Sequence, residues 1–284
     1  MGLRGEARAA LAATGHRPRK RWGQHFLCDP RVVERIVAAA RLNPGTVVLE
    51  IGPGLGALSD VLADACDELF VVEIDPALCE RLVERYAGRG RVHVLRGDVL
   101  ALPLAQAVPR GAIVVANLPY NISTVVLMRL CELRAHLPRA ILMLQREVAE
   151  RLVAPPGGRE RGVLGVLVQT YADVRLVLRV PRGAFLPPPR VDSVVIEVAW
   201  RDAPRVAIAD EALYRRVVRG AFGQRRKMLR NALAGVGAEL GLDDAGLAAA
   251  LARAGIDPTE RAERLELAAF ARLADALGAG SVSA

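Results

Sequence analysis

Asn117, Leu118, Pro119 and Tyr120 stand together in the run GAIVVANLPYNIST. Their types suit one kind of target, a flat ring that carries an exocyclic amine. The side-chain oxygen of Asn117 and the carbonyl of Leu118 can each accept an amine hydrogen. Pro119 stiffens the turn, and Tyr120 offers an aromatic face to cover the ring. A second aromatic, Phe185, opens the run Phe185-Leu186-Pro187-Pro188-Pro189-Arg190-Val191-Asp192-Ser193. Its prolines would hold Phe185 at low entropic cost, so that it faces Tyr120 across a flipped base. The plainer accounts are a strand-to-loop turn with a surface tyrosine, and a loop phenylalanine in the core.

These groups must be carried by a scaffold. Ala112 to Ala116 is a short apolar run, β-branched at Ile113, Val114 and Val115, with turn residues at both ends. It predicts a strand buried on both faces. Asn117 then falls just past the carboxyl end of a central strand, where open α/β sheets bind ligands. Thr46 to Ile51 predicts another strand, running into Glu50-Ile51-Gly52-Pro53-Gly54-Leu55-Gly56 and a helix over Ala57–Ala65. Strand, glycine turn and helix bring backbone amides up to a ligand. A dinucleotide fingerprint wants glycine at position 57; here Ala57 stands there and the third glycine comes one step early, which weakens an NAD-dependent dehydrogenase. Glu73 lies near the end of a strand over Leu69–Ile74. An acid about 20 residues after a glycine loop can accept both ribose hydroxyls. Asp75 competes for that role or caps the helix that Pro76 begins. A third strand, Val92–Leu95, ends at Gly97-Asp98-Val99; alone a Gly-Asp pair would more often be a turn, but after the glycine loop and Glu73 it suits Asp98 as an acceptor for an adenine amine.

The net charge of +8 favours a polyanionic partner, unless it only reflects an arginine-rich composition. Clustering separates the two. Arg19, Lys20 and Arg21 lie in a basic run that ends in aromatics, suited to nucleic-acid contacts, although such runs are often solvated tails. After Asp202-Ala203-Pro204 the pattern is helical throughout: Glu211–Phe222, Arg225–Leu233, Asp243–Ala254 and Arg264–Leu277. One short stretch there holds Arg215, Arg216, Arg219, Arg225, Arg226, Lys227 and Arg230, while the other helices carry mixed charge. That concentration predicts an RNA-facing surface on a small helical domain over 203–284, following a domain over 1–202. Cys28, Cys66, Cys79 and Cys131 form no C-x-x-C pair, which predicts free thiols and no metal site. Arg4, Glu6 and Arg8 interrupt any signal-peptide core, and no apolar run reaches the roughly 18 residues of a membrane span. A cytoplasmic monomer is expected.

Separated motifs also carry a resemblance. Gly23-Gln24-His25-Phe26-Leu27, the acid-x-G-x-G-x-G loop, Val71-Val72-Glu73-Ile74-Asp75, NLPYNIST, FLPPPRVDS and Phe222-Gly223-Gln224-Arg225-Arg226-Lys227-Met228-Leu229-Arg230-Asn231 resemble the ribosomal RNA adenine dimethylase family, from Arg19 to about Leu267. The resemblance implies a seven-stranded, mostly parallel α/β sheet, Rossmann-like, with a C-terminal helical domain. It implies S-adenosylmethionine (SAM) as cofactor, flanked by His25 and Leu27. Glu50 would face its ammonium, Gly52, Gly54 and Gly56 would form its loop, and Glu73 and Asp98 would hold its ribose and adenine. Asn117 would touch cofactor and target alike, and Asn117, Leu118, Tyr120 and Phe185 would form the catalytic set. The implied substrate is 16S RNA in a partly assembled small subunit, dimethylated on N6 of two adjacent adenosines in its 3′-terminal hairpin. N-L-P-Y and P-P-P-R-V-D-S resemble that branch more than the antibiotic-resistance methylases of large-subunit RNA, which tend to carry N-I-P-Y. Intact Asn117 and Tyr120 argue against a non-catalytic RNA-binding relative. The chain departs from the family at Arg161, usually Tyr, and at Gly165, usually Ser.

Overall fold

The computed structural model describes residues 2–13, 22–224 and 226–281. Arg19, Lys20, Arg21 and Arg225, expected above as RNA contacts, lie outside them. The chain divides into two compact units, Met1–Ala149 with Asp173–Trp200, and Glu150–Ala172 with Arg201–Ala284.

The first unit is built on strands β1 (Phe26–Leu27), β2 (Val47–Ile51), β3 (Glu68–Glu73), β4 (Val92–Arg96), β5 (Ile113–Asn117), β6 (Arg139–Gln145), β7 (Ala172–Val180), β8 (Phe185–Leu186) and β9 (Ser193–Trp200). Seven of them form one sheet in the order β4-β3-β2-β5-β6-β9-β7. The pairs from β4 to β6 are parallel and β9 runs antiparallel to β6, so the sheet is mostly parallel, as expected. The central runs are apolar because both faces are covered: Val48, Leu49, Val71, Val114, Val115, Ile141 and Leu142 are completely buried. The helix Pro30–Ala40 supplies part of that cover. Asp29 caps it by accepting from Arg31 N and Val32 N, and Val32, Val33, Ile36 and Ala40 face inward.

From β2 the chain proceeds to β3 and β4 on one side, then returns to β5 on the other. The carboxyl ends of β2 and β5 therefore flank a topological switch point, where such sheets open a crevice. Asn117 is the last residue of β5, paired with Met143, and so belongs to the strand rather than lying past its end. A two-stranded antiparallel sheet pairs Phe26 with Leu186 and Leu27 with Phe185. It clips the segment before the helix Pro30–Ala40 to the proline-rich loop.

The second unit gathers Glu150–Ala172 with the C-terminal helices, whereas the sequence reading placed those residues in the catalytic domain. It contains a helix, Val163–Tyr171, that the sequence reading lacked. That helix is apolar almost all round, so no amphipathic period marks it. Gly165 packs so closely that a Cβ there would stand 2.3 Å from Arg151 O. Arg161 is fully buried; it donates to Ala154 O (3.0 Å), Gln169 Oε1 (3.2 Å) and Leu265 O (3.1 Å). Burial pulls its pKa down. The helices Glu211–Phe222 and Asp244–Arg253 are capped by Asp210 and Asp243. The expected helix Arg225–Leu233 is shorter, Leu229–Ala232, and the last helix is Leu267–Ser281. Among the described residues, no helix is long and apolar enough to cross a membrane, and no His, Cys, Asp or Glu cluster is arranged to hold a metal. Cys28, Cys66, Cys79 and Cys131 are buried thiols.

Candidate active site

One side of the crevice is shaped by the loop after β2. Gly52, Gly54 and Gly56 adopt φ of +69°, +60° and +89°, the left-handed region that side chains rarely enter. At Gly54 a Cβ would also meet the Phe26 ring at 3.0 Å, so both conformation and space demand glycine. Gly56 caps the helix Ala57–Ala65, which points its amino end at the crevice.

Glu50, Glu73 and Asp98 of this half line the crevice. Glu50 is 1% exposed, and its Oε2 has no hydrogen-bond partner among the described residues. Burial pushes its pKa up to about 8, with Asp60 and Glu73 pushing the same way. A buried carboxylate with an unpartnered oxygen favours an incoming cation, which fits the SAM ammonium. Glu73 is buried beside it; Oε1 accepts from Asp75 N (2.9 Å) and Oε2 from Gly54 N (3.2 Å). Burial pushes its pKa up while those backbone N–H groups pull it down. The backbone thus holds both oxygens in a fixed fork. Asp75 is fully buried, does not line the crevice, accepts from Ala77 N (3.2 Å) as a helix cap and takes a bond from Gln24 Nε2 (3.0 Å). Asp98 lines the crevice, with Oδ1 accepting from Leu100 N at 2.9 Å. His25 and Leu27 line it as well.

The other half is built at the end of β5. Asn117 Nδ2 donates to the carbonyl of His25 at 3.1 Å. That bond orients the amide, and no described residue donates to its Oδ1. Leu118 lines the crevice, and its N–H donates to Met143 O (3.2 Å). Tyr120 is half-buried; its hydroxyl shares a hydrogen bond with Ser193 Oγ at 2.8 Å. The His25 ring stacks on Tyr120, centroids 5.4 Å apart and planes 29° apart, and His25 Nδ1 donates to Pro187 O at 2.8 Å.

Phe185 corrects an expectation. It does not line the crevice; its side chain is completely buried in a core with Val33, Ile36, Val180 and Val195. Strand β8 turns it inward, and the aromatic neighbour of Tyr120 is His25 instead. Tyr120 and Phe185 therefore form no sandwich here. Sequence reasoning also missed Ser193, Pro187 and Gln24, although all three stand inside motifs it quoted. In the second unit, Arg219, Arg226 and Lys227 are exposed. Arg215 is not free for RNA: its side chain is 18% exposed, lies over the Tyr171 ring at 5.3 Å and reaches Glu211 at 3.6 Å.

Known proteins share this fold. Residues 15–277 match the model of the ribosomal RNA adenine dimethylase family. A relative from Syntrophotalea carbinolica, ribosomal RNA small subunit methyltransferase A, is 48% identical over 91% of this chain and 96% of its own. Its counterpart in Geobacter sulfurreducens is 45% identical over 94% and 98%. Among solved structures, a dimethyladenosine transferase from Plasmodium falciparum has a TM-score of 0.73 at 25% identity, covering 88% of this chain and 96% of that one. The 23S rRNA methyltransferase ErmE has a TM-score of 0.64 at 28% identity, covering 89% and 99%. By sequence along nearly its whole length, and by the fold that carries its crevice, the chain belongs to the ribosomal RNA adenine dimethylase family.

Proposed function

We propose that this chain dimethylates N6 of two adjacent adenosines in the 3′-terminal hairpin of small-subunit (16S) ribosomal RNA, using SAM. The observation that carries the reading is the locked amide of Asn117, whose oxygen is left as an acceptor next to the glycine loop. SAM, when bound, supplies a methyl group made electrophilic by a sulfonium. Glu50, Glu73 and Asp98 would hold its ammonium, ribose and adenine. The target amine is normally flattened by conjugation with its ring. Acceptors at Asn117 Oδ1 and the Leu118 carbonyl favour the pyramidal, partly cationic amine of the transition state, which is differential binding. Tyr120 covers the ring and sets the line of approach. The methylated amine is cationic and loses its proton to water, so no side-chain base is assigned.

The product follows from the same walls. One amide, one carbonyl and a flat aromatic face leave room for a monomethylated amine to rotate and present its remaining hydrogen. The end product is N6,N6-dimethyladenosine, with four methyl groups per RNA. Exposed Arg219, Arg226 and Lys227, with Arg19, Lys20, Arg21 and Arg225, contact phosphates. Recognition rests on the shape of a partly assembled subunit, by a monomer acting in the cytoplasm.

Labelled-methyl transfer onto unmethylated small subunits, compared with naked RNA and followed by nucleoside mass spectrometry, tests this reading. Dimethyladenosine formed preferentially on the subunit is expected. The likeness to ErmE motivates the second reading, a large-subunit RNA methylase. Methylation confined to large-subunit RNA, or N6-methyladenosine alone at exhaustion, would favour it. Neutralising Arg225, Arg226 and Lys227 together should flatten the log–log salt dependence of RNA binding by roughly two to three units; an unchanged slope would mean a merely solvated surface.

A further inference from the structure

Ser193 opens β9, pairs with Gln145 in the sheet and is completely enclosed. A buried serine hydroxyl needs a partner. Here the partner is the Tyr120 hydroxyl, 2.8 Å away, on the ring that faces the crevice. The same loop grips that ring by a second route. Pro187 O accepts from His25 Nδ1, and the His25 ring lies stacked on Tyr120. Both restraints on the plane of Tyr120 therefore originate in residues 187–193.

We propose that Ser193 is a positioning residue for methyl transfer, acting through the Tyr120 hydroxyl to hold the ring against which the target adenine lies. The proposal rests on the reading of Tyr120 as the wall of the base site. It also gives the Tyr120 hydroxyl a purpose: it takes no part in the chemistry and serves as the anchor of the wall. The chemical requirement on the loop then falls on its last residue, while Phe185, its first, packs the core. A wall left free to tilt still admits a base but presents its amine off line, and misalignment is paid in rate rather than in cofactor binding.

A double-mutant cycle tests this. Single-turnover methyl transfer to saturating small-subunit RNA is measured for wild type, Ser193→Ala, Tyr120→Phe and the double variant. Each single change should slow transfer roughly three- to tenfold, and the double variant should be no slower than either. Calorimetry should find the SAM affinity of Ser193→Ala unchanged. A serine with a purely structural role would instead act independently of the Tyr120 hydroxyl, so multiplicative losses in the cycle would overturn the inference. Tyr120→Phe removes the same bond from the crevice side without altering the buried serine, and keeps the test decisive should Ser193→Ala fail to fold. A Tyr120→Phe rate within twofold of wild type would sink the proposal. Transfer absent from the wild type itself would overturn the functional reading, and the inference with it; transfer with multiplicative losses overturns the inference alone.

Discussion

The two halves of the crevice are held by different means. The cofactor half is rigid by local backbone: three glycines in left-handed conformations, and a carboxylate whose two oxygens are tied to N–H groups of Gly54 and Asp75. The base half is assembled at long range. Asn117 is oriented by a carbonyl 92 residues away in the chain, and Tyr120 by a hydroxyl 73 residues away. The glycine loop and Glu73 come together when β2 and β3 pair. The base half exists only once the segment before the helix Pro30–Ala40 and the loop before β9 have both docked. Cofactor affinity and turnover should therefore separate cleanly under mutation.

The largest effect that tests this separation belongs to Asn117→Ala. Loss of the acceptor should lower the single-turnover rate by about 10²–10³-fold with SAM affinity nearly intact. Turnover within about threefold of wild type would remove the mechanism. Next comes Glu50, whose raised pKa has a definite sign. Between the ordinary carboxylate range and about pH 8 the folded, ligand-free chain keeps a proton on Glu50 that the unfolded chain has lost. Stability therefore falls as pH rises through that window and levels off above it, a change on the order of a few kcal/mol. Glu50→Gln should flatten this part of the profile, raise the melting temperature at pH 8 and weaken SAM binding. Identical pH profiles for variant and wild type would show that Glu50 is not protonated in the ligand-free fold.

Glu73→Ala should weaken SAM binding by about 1.5–3 kcal/mol. Asp75→Ala should instead cost about 1 kcal/mol of stability through the lost helix cap, with affinity little changed. Equal affinities for Glu73→Ala and wild type would mean that the ribose contact lies elsewhere. Comparable in size is Gly54→Ala, about 1–2 kcal/mol for an alanine forced into the left-handed region and against the Phe26 ring. It should appear in SAM affinity and melting temperature alike, whereas the intrinsic rate at saturating SAM stays close to wild type. A fall in that rate would show the halves to be mechanically coupled.

The same division explains what was legible in the sequence. The glycine turn, Glu73 and Asp75 could be read because each is specified by neighbouring residues: a strand before, a proline after, a spacing between. The order β2, β3, β4, β5 followed from apolar runs closed by turn residues. The base half was only partly legible. The type of Asn117 announced an acceptor, but its orientation is set by the backbone carbonyl of His25, a group that every residue possesses. Phe185 was misplaced because a proline-rich run says that a loop is stiff, not which way its first side chain points. Two-residue strands such as β1 and β8 are too short to leave a pattern at all.

Arg161 reaches from the middle of the chain to the carbonyl of Leu265, and with Ala154 and Gln169 it closes a buried polar knot inside the second unit. That unit is therefore drawn from two stretches of the gene, with β7 to β9 encoded between them. A stop codon after Asp202 would not release a tidy catalytic fragment; it would strand Glu150–Ala172 with a guanidinium stripped of its Leu265 acceptor. Recombination at that point would fare no better. The helical unit cannot be shuffled as a cassette by one crossover, and any lineage that exchanges it must exchange both stretches together.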